Sequence, residues 1–237
     1  MNKENILYAI IGIMVGLIGG FIFANSYMRS ELSSGRLSTA SSAMQTNSNM
    51  PADHPTVPGQ QQPAPVPPEL QPAMDKAKAN PTDFDAQMKA AELSNQAEQY
   101  ENAIEFLKAA NKLKPDDYIT IVNLGNASFD SGNFAEAEKW YSAALEKKKE
   151  DNNVRTDLGL TFVFRETPNY DRAIQEFNTV LSTEPNHIQA LQNSVVAYIR
   201  KGDMAKAKDN LTKLEAVDPK NVAIPRLKSQ IDKGQPK

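Results

Sequence analysis

The feature of this sequence that most constrains its fold is a segment of about 34 residues that occurs four times. Pro81 and Pro115 are 34 residues apart, and so are Pro185 and Pro219. The 70 residues from Pro115 to Pro185 contain two further copies and two extra residues, which fall in the stretch 165–169. Self-similarity at this period is typical of solenoids, in which each repeat buries its apolar face against its neighbours. We therefore expect one stacked array rather than an ordinary globular domain.

Within the four copies, several positions agree in size and polarity. An alanine recurs where helices would cross closely: Ala103, Ala137, Ala173 and Ala207. Bulky residues stand three positions before it and four after it: Tyr100, Phe134, Tyr170 and Met204, then Leu107, Tyr141, Phe177 and Leu211. Spacings of three and four place side chains on one face of a helix. Small residues also recur in the preceding helix of three copies: Ala91, Gly125 and Gly159. The pattern predicts pairs of closely packed helices.

These columns resemble the tetratricopeptide repeat (TPR) family over residues 81–219. The resemblance implies an all-α fold, an α-solenoid of about four TPR helix pairs at 82–219. A terminal repeat leaves one apolar face uncovered, so we expect capping helices on both sides. The apolar pattern places them at 69–81 and at 220–237, the latter ending in a short tail.

The resemblance also implies a binding site for another protein, because TPR proteins bind an extended peptide or a helix in a groove lined by the first helix of each pair. The positions that correspond to this groove are Met88, Glu92, Asn95, Val122, Asn126, Phe129, Thr156, Asp157, Leu160, Val163, Gln192, Asn193, Val196 and Ile199. In the alternative interpretation, Phe129 and Leu160 are simply buried between helices.

Asn126 and Asn193 are similar to the asparagine with which some TPR proteins hold the terminal carboxylate of a peptide. The lysines of that clamp are missing here, because Val122 precedes Asn126 by one turn and Asp157 belongs to the next wall. An anionic C-terminal peptide is therefore a disfavoured ligand.

The amino-terminal 25 residues are predicted to anchor the chain in a membrane. Residues 6–24 are nineteen consecutive uncharged residues, about the length that spans a bilayer core. A cleaved signal peptide is the alternative, although its apolar region usually has only ~7 to 15 residues. Gly12, Gly16 and Gly20 share one helical face, a spacing that permits helix pairing in lipid and hence a homodimer.

Residues 26–68 are predicted to be a linker rich in Pro, Gln and Ser. From residue 37 onward the linker has no Lys, Arg, Glu or aromatic residue other than His54, so it cannot bury enough apolar surface to fold. Its prolines favour a spacer, or alternatively a ligand for a proline-reading domain.

The side of the membrane on which the rest of the chain lies does not follow from the charges. Lys3 and Arg29 stand on opposite flanks of the predicted span, so the basic residues are almost balanced. A lone anchor followed by such a linker resembles a bacterial inner-membrane protein with an exported body, and a cytoplasmic body is the alternative.

The sequence offers no grouping that would support catalysis. It has no cysteine and two histidines, His54 and His187, which stand in separate segments. We expect no enzyme, cofactor or metal, and the net charge of -3 without a basic stripe disfavours nucleic acid. The predicted function is a membrane-tethered scaffold or adaptor for protein–protein interaction. An accessory subunit in cytochrome c maturation or another envelope assembly pathway is an alternative, because membrane-tethered TPR subunits resembling this chain occur there.

Overall fold

A computed structural model describes residues 66–234. This part of the chain folds into helices and contains no strand. The helices are α1 (Leu70–Ala79), α2 (Phe84–Gln96), α3 (Tyr100–Leu113), α4 (Tyr118–Asp130), α5 (Phe134–Lys147), α6 (Asn152–Phe164), α7 (Tyr170–Thr183), α8 (Ile188–Lys201), α9 (Met204–Val217) and α10 (Ile224–Asp232). Each helix packs mainly against its neighbours in sequence. The predicted all-α solenoid is confirmed, with the pairs α2/α3, α4/α5, α6/α7 and α8/α9.

The same type of N-cap starts the first helix of every pair. Asp83, Asp117 and Asp151 each accept a hydrogen bond from the backbone N–H three residues later. In the fourth pair, Nδ1 of His187 accepts from the backbone N–H of Ala190 at 3.2 Å. A side-chain acceptor at this position satisfies a backbone donor that the helix itself leaves unpaired. These caps determine where each of the four first helices begins.

The close approach of paired helices is confirmed by the alanine column and by two glycines. Ala103, Ala137 and the two equivalent alanines are fully buried. A Cβ atom at Gly125 would lie 2.6 Å from Cδ1 of Tyr141, and one at Gly159 would lie 2.4 Å from Cε1 of Phe177. The large ring on the second helix therefore occupies the space that a side chain on the first helix would need.

The turns within pairs are of two kinds. Three of them contain a residue with positive φ at the same position: Glu98, Gly132 and Gly202. The turn with the two extra residues, 165–169, has none. It is closed by a hydrogen bond from the Asn169 backbone N–H to the Phe162 carbonyl at 2.8 Å. The additional length removes the need for a left-handed residue.

Both ends of the array are covered by a helix. In α1, Leu70, Met74 and Ala77 are buried, and the buried Gln87 donates from Nε2 to the Ala77 carbonyl at 2.8 Å. In α10, the apolar face consists of Ile224, Leu227 and Ile231. The buried amide of Gln87 thus links α2 to the end of α1.

The core of the described region extends from one cap to the other. One apolar cluster joins α1 to α4, and a second joins α4 to α10, with Trp140 packed against both. Within residues 66–234, no helix is both long enough and apolar enough to cross a membrane. The predicted span at 6–24, with Gly12, Gly16 and Gly20, lies outside the described residues, as does the linker up to residue 65.

Candidate functional site: the inner wall of the helix pairs

The positions predicted to line a groove lie on α2, α4, α6 and α8, and we call this set the inner wall. The structure divides its members by burial. Those that keep exposed area are Met88, Glu92, Asn95, Val122, Leu160, Gln192, Asn193 and Val196. Those that are buried are Asn126, Phe129, Thr156, Asp157, Val163 and Ile199. The polar and apolar members that remain accessible come from all four first helices.

The prediction that Phe129 lines the binding surface is wrong. Its side chain is 0% exposed, and its ring meets those of Phe134 and Phe164 edge-on at centroid distances of 5.2 and 6.0 Å. Val163 and Ile199 occupy the equivalent position in the next two pairs and are buried as well. This position in the last turn of α4, α6 and α8 therefore belongs to the core, whereas Asn95, its equivalent in α2, keeps exposed area.

Two aromatic residues that were not among the predicted groove positions cover Phe129. Phe134 and Phe164 stack on each other with their centroids 6.3 Å apart and their planes at 28°, and both remain partly exposed. Phe164 directly follows Val163, so the groove positions predicted on α6 ended one residue short of it. Extending the predicted positions by one residue would have identified it.

A cavity of about 510 Å³ lies between α2 and α4. It brings together four of the predicted residues, Met88, Glu92, Asn95 and Asn126. Its other lining residues are Asp85, Lys89, Ala91, Gln96, Leu107 and Asn123. Most of these residues are close in sequence to the predicted groove positions and lie on the same helix faces. The inner wall is therefore wider than the sequence predicted.

The cavity is rich in hydrogen-bond acceptors. Glu92 accepts from Nζ of Lys89 at 2.9 Å and from Nε2 of Gln96 at 3.2 Å. Asp85 has no ion pair or side-chain hydrogen bond with any residue in 66–234. Oδ1 of Asn95 is buried and has no hydrogen-bond partner in this part of the chain. Such an acceptor costs free energy until a donor reaches it.

Next to this cavity, the middle of the wall holds a buried tyrosine among carboxylates. Tyr141 donates from its hydroxyl to Oδ1 of Asn126 at 2.9 Å, so this oxygen of Asn126 already serves the fold. Burial raises the pKa of Tyr141 well above its usual value, and the nearby charges of Asp157 and Asp130 raise it further. The carboxylates make this region unfavourable for an anion, in agreement with the missing lysines.

A second depression, of about 530 Å³, contains none of the predicted residues. It is formed by α7, α8 and α9, and an ion pair between Lys201 and Asp171 lies within it. Residues 66–234 contain no group of His, Asp and Glu side chains that could hold a metal ion.

A family model described as tetratricopeptide repeat matches residues 94–156 and 168–231, together more than half of the chain. The chain belongs to the tetratricopeptide repeat family. The gap between the matched stretches, 157–167, includes the first residues of the longer turn at 165–169, which interrupts the TPR period. TPR proteins are generally modules for protein–protein interaction rather than enzymes, and the TPR array of this chain is accordingly an interaction scaffold.

Individual TPR proteins resemble parts of the chain. The human intraflagellar transport protein 88 homolog is 29% identical over 112 residues, which is 45% of this chain but only 13% of that protein. One similar solved structure is that of YrrB, a TPR protein with an unusual peptide-binding site. It has a TM-score of 0.60 at 22% identity, and the match covers 68% of this chain and 84% of the YrrB chain. MamA from Desulfovibrio magneticus RS-1 has a TM-score of 0.58 at 17% identity, covering 63% and 84%. Identities this low establish a common fold.

Proposed function

We propose that this protein is a membrane-tethered scaffold that binds a segment of a partner protein along its inner wall. The observation that carries the proposal is the cavity of about 510 Å³ between α2 and α4, which is within the range of ligand-binding cavities, ~300 to 1,000 Å³. It opens on the face predicted to bind, and it combines apolar with polar lining residues.

The rest of the inner wall supports the same proposal. Val122, Leu160 and Val196 are apolar and partly exposed on three successive first helices, α4, α6 and α8. Gln192 and Asn193 are partly exposed and form no side-chain hydrogen bond within residues 66–234. Apolar side chains flanked by polar groups with unused hydrogen-bonding capacity are typical of interaction surfaces.

The inner-wall proposal is tested by capture of partners from membranes that contain the full chain. Leu160→Glu or Val196→Glu places a charge on the wall, and we expect either change to reduce the crosslinked partner at least about tenfold, since burying an unpaired charge is costly. Thr212→Glu, on the exposed face of α9, is the matched control and should leave capture unchanged. Circular dichroism verifies that all three variants are folded. Equal capture by all of them would refute binding at this wall.

The membrane tether is proposed from residues 6–24, and the export of the body from the resemblance to bacterial signal anchors. We expect the full chain to sediment with membranes and a variant lacking residues 1–25 to remain in the supernatant. A reporter fused after Lys237 should be active on the exported side. Sedimentation of the shortened variant would contradict the tether, and a reporter active only in the cytoplasm would contradict the export.

A further inference from the structure

We propose that the cavity between α2 and α4 receives the side chain of a lysine or arginine from an extended segment of the partner protein. This inference rests on the proposed function and specifies the chemistry of the segment. It depends on the charge of the lining residues, on an unsatisfied acceptor and on an apolar floor.

The charges of the cavity favour a cation. Asp85 and Glu92 contribute two carboxylates, whereas Lys89 contributes one ammonium group. Lys89 is bound to Glu92, and both side chains are more than half exposed, at 55% and 54%. An exposed pair of this kind contributes little to stability, so an incoming cation can share or replace Lys89 at Glu92. Asp85 has no ion pair or side-chain hydrogen bond within residues 66–234 that an incoming cation would have to break.

The unsatisfied acceptor points to a ligand that donates hydrogen bonds. Asn95 lines the cavity, and its Oδ1 is closed off from solvent without a hydrogen-bond partner in the described structure. A donor in the cavity reaches this oxygen when the Asn95 side chain turns toward it. Lysine and arginine side chains carry only donors, three on the ammonium group and five on the guanidinium. A carboxylate or a carbonyl in the same place would leave this oxygen unpaired and would face Asp85 and Glu92.

The apolar lining fits the long stem of a basic residue. Met88, Ala91 and Leu107 contribute apolar atoms to the cavity, and the last two are almost fully buried. Lysine and arginine bury their methylene groups on such surfaces while the charged end contacts polar groups. The cavity thus provides separate contacts for the stem and for the charged end.

The test is a peptide array probed with the full chain in detergent micelles. The probes are seven-residue peptides, acetylated and amidated at their ends, with random flanks and a fixed central residue that is Arg, Lys, Gln, Glu or Leu. We expect central Arg or Lys to increase binding about tenfold over Gln, as expected for one close charge pair. Glu92→Gln and Asn95→Ala should each weaken this preference, whereas Glu105→Gln, an exposed glutamate on α3, should preserve it.

The outcomes separate this inference from the function on which it rests. If peptides bind, and Leu160→Glu abolishes binding, but central Arg and Lys are no better than Gln, the inference is wrong and the inner wall still binds peptides. The same holds if the preference for Arg and Lys persists in Glu92→Gln and Asn95→Ala. If no peptide binds, or if Leu160→Glu has no effect on binding, the proposed function fails as well.

Discussion

At the scale of single residues, the turn between α2 and α3 contains a conformational strain that the other turns avoid. Glu98 has φ of 56°, at the position where Gly132 and Gly202 stand in two other pairs. A left-handed conformation costs a residue with a Cβ atom ~1 to 2 kcal/mol. We expect Glu98→Gly to increase the free energy of unfolding in urea by about 1 kcal/mol, less a small entropic cost in the unfolded chain. At Gly132, a Cβ atom would have no neighbour within 4 Å, but φ is 80°. Because this φ is strained for alanine, Gly132→Ala should decrease the free energy of unfolding by a similar amount. A neutral or destabilising Glu98→Gly would contradict this account.

The hydroxyl of Tyr118 should make the stability of the fold depend on pH in the alkaline range. The Tyr118 hydroxyl donates to Oδ2 of Asp151 at 2.6 Å. Burial, followed by this hydrogen bond and the charge of Asp151, raises the pKa of Tyr118. The folded protein thus keeps Tyr118 neutral at a pH where the unfolded chain ionises it, near 10. The associated stability is complete below that value and is lost as the pH rises above it.

We therefore expect the free energy of unfolding to decrease as the pH rises above about 10. The decrease should be smaller in Tyr118→Phe, which has no hydroxyl at this position to ionise. Urea unfolding at several pH values measures both slopes. Parallel slopes for the two proteins would show that Tyr118 contributes nothing to the pH dependence.

At the scale of helices, the glycines in the first helix of the middle pairs are required by their partners. Gly159→Ala should lower the free energy of unfolding by ~1 to 3 kcal/mol, because the new Cβ atom would lie 2.4 Å from the fully buried ring of Phe177. Combining it with Phe177→Leu should cost less than the two single changes together, since the smaller side chain vacates this space. If Gly159→Ala is stabilising, as its higher helix propensity alone would favour, the packing account is wrong.

Much of the helical framework could be predicted from the sequence, because the signals that define it are local and repeated. The alanine column, the small residue in the first helix and the bulky residues at spacings of three and four each determine contacts within one pair. Gly132 and Gly202 likewise mark turns in which φ is positive. Repetition allowed each signal to be checked in several copies.

Contacts between consecutive pairs were harder to predict, because they depend on how two different sequences meet. Phe129 is buried because Phe164 of the next pair and Phe134 of its own pair cover it. Glu176 is 4% exposed between Arg155 and Arg172, although the equivalent positions in preceding pairs hold Phe106 and Trp140. A polar group at an apolar position becomes predictable only when its partner across the interface is known.

At the scale of the whole molecule, a TPR array follows a segment that we propose to be a membrane tether. The described residues supply a scaffold with caps at both ends and with a wall whose accessible members span four helices. The predicted anchor and linker would hold this array at a membrane, and we expect the proposed partner segment to meet the wall there. The proposed function then requires that the partner segment bind to the inner wall rather than to another face of the array.

The most direct test of this central claim is position-resolved photocrosslinking in cells that carry the full chain. A benzophenone amino acid is placed singly at Leu160 or Val196 on the inner wall, and at Glu105 or Thr212 on the exposed faces of α3 and α9. We expect one common crosslinked protein at both inner-wall positions and none at the two exposed positions. Crosslinks of equal strength at Glu105 and Thr212, with none at Leu160 and Val196, would contradict it.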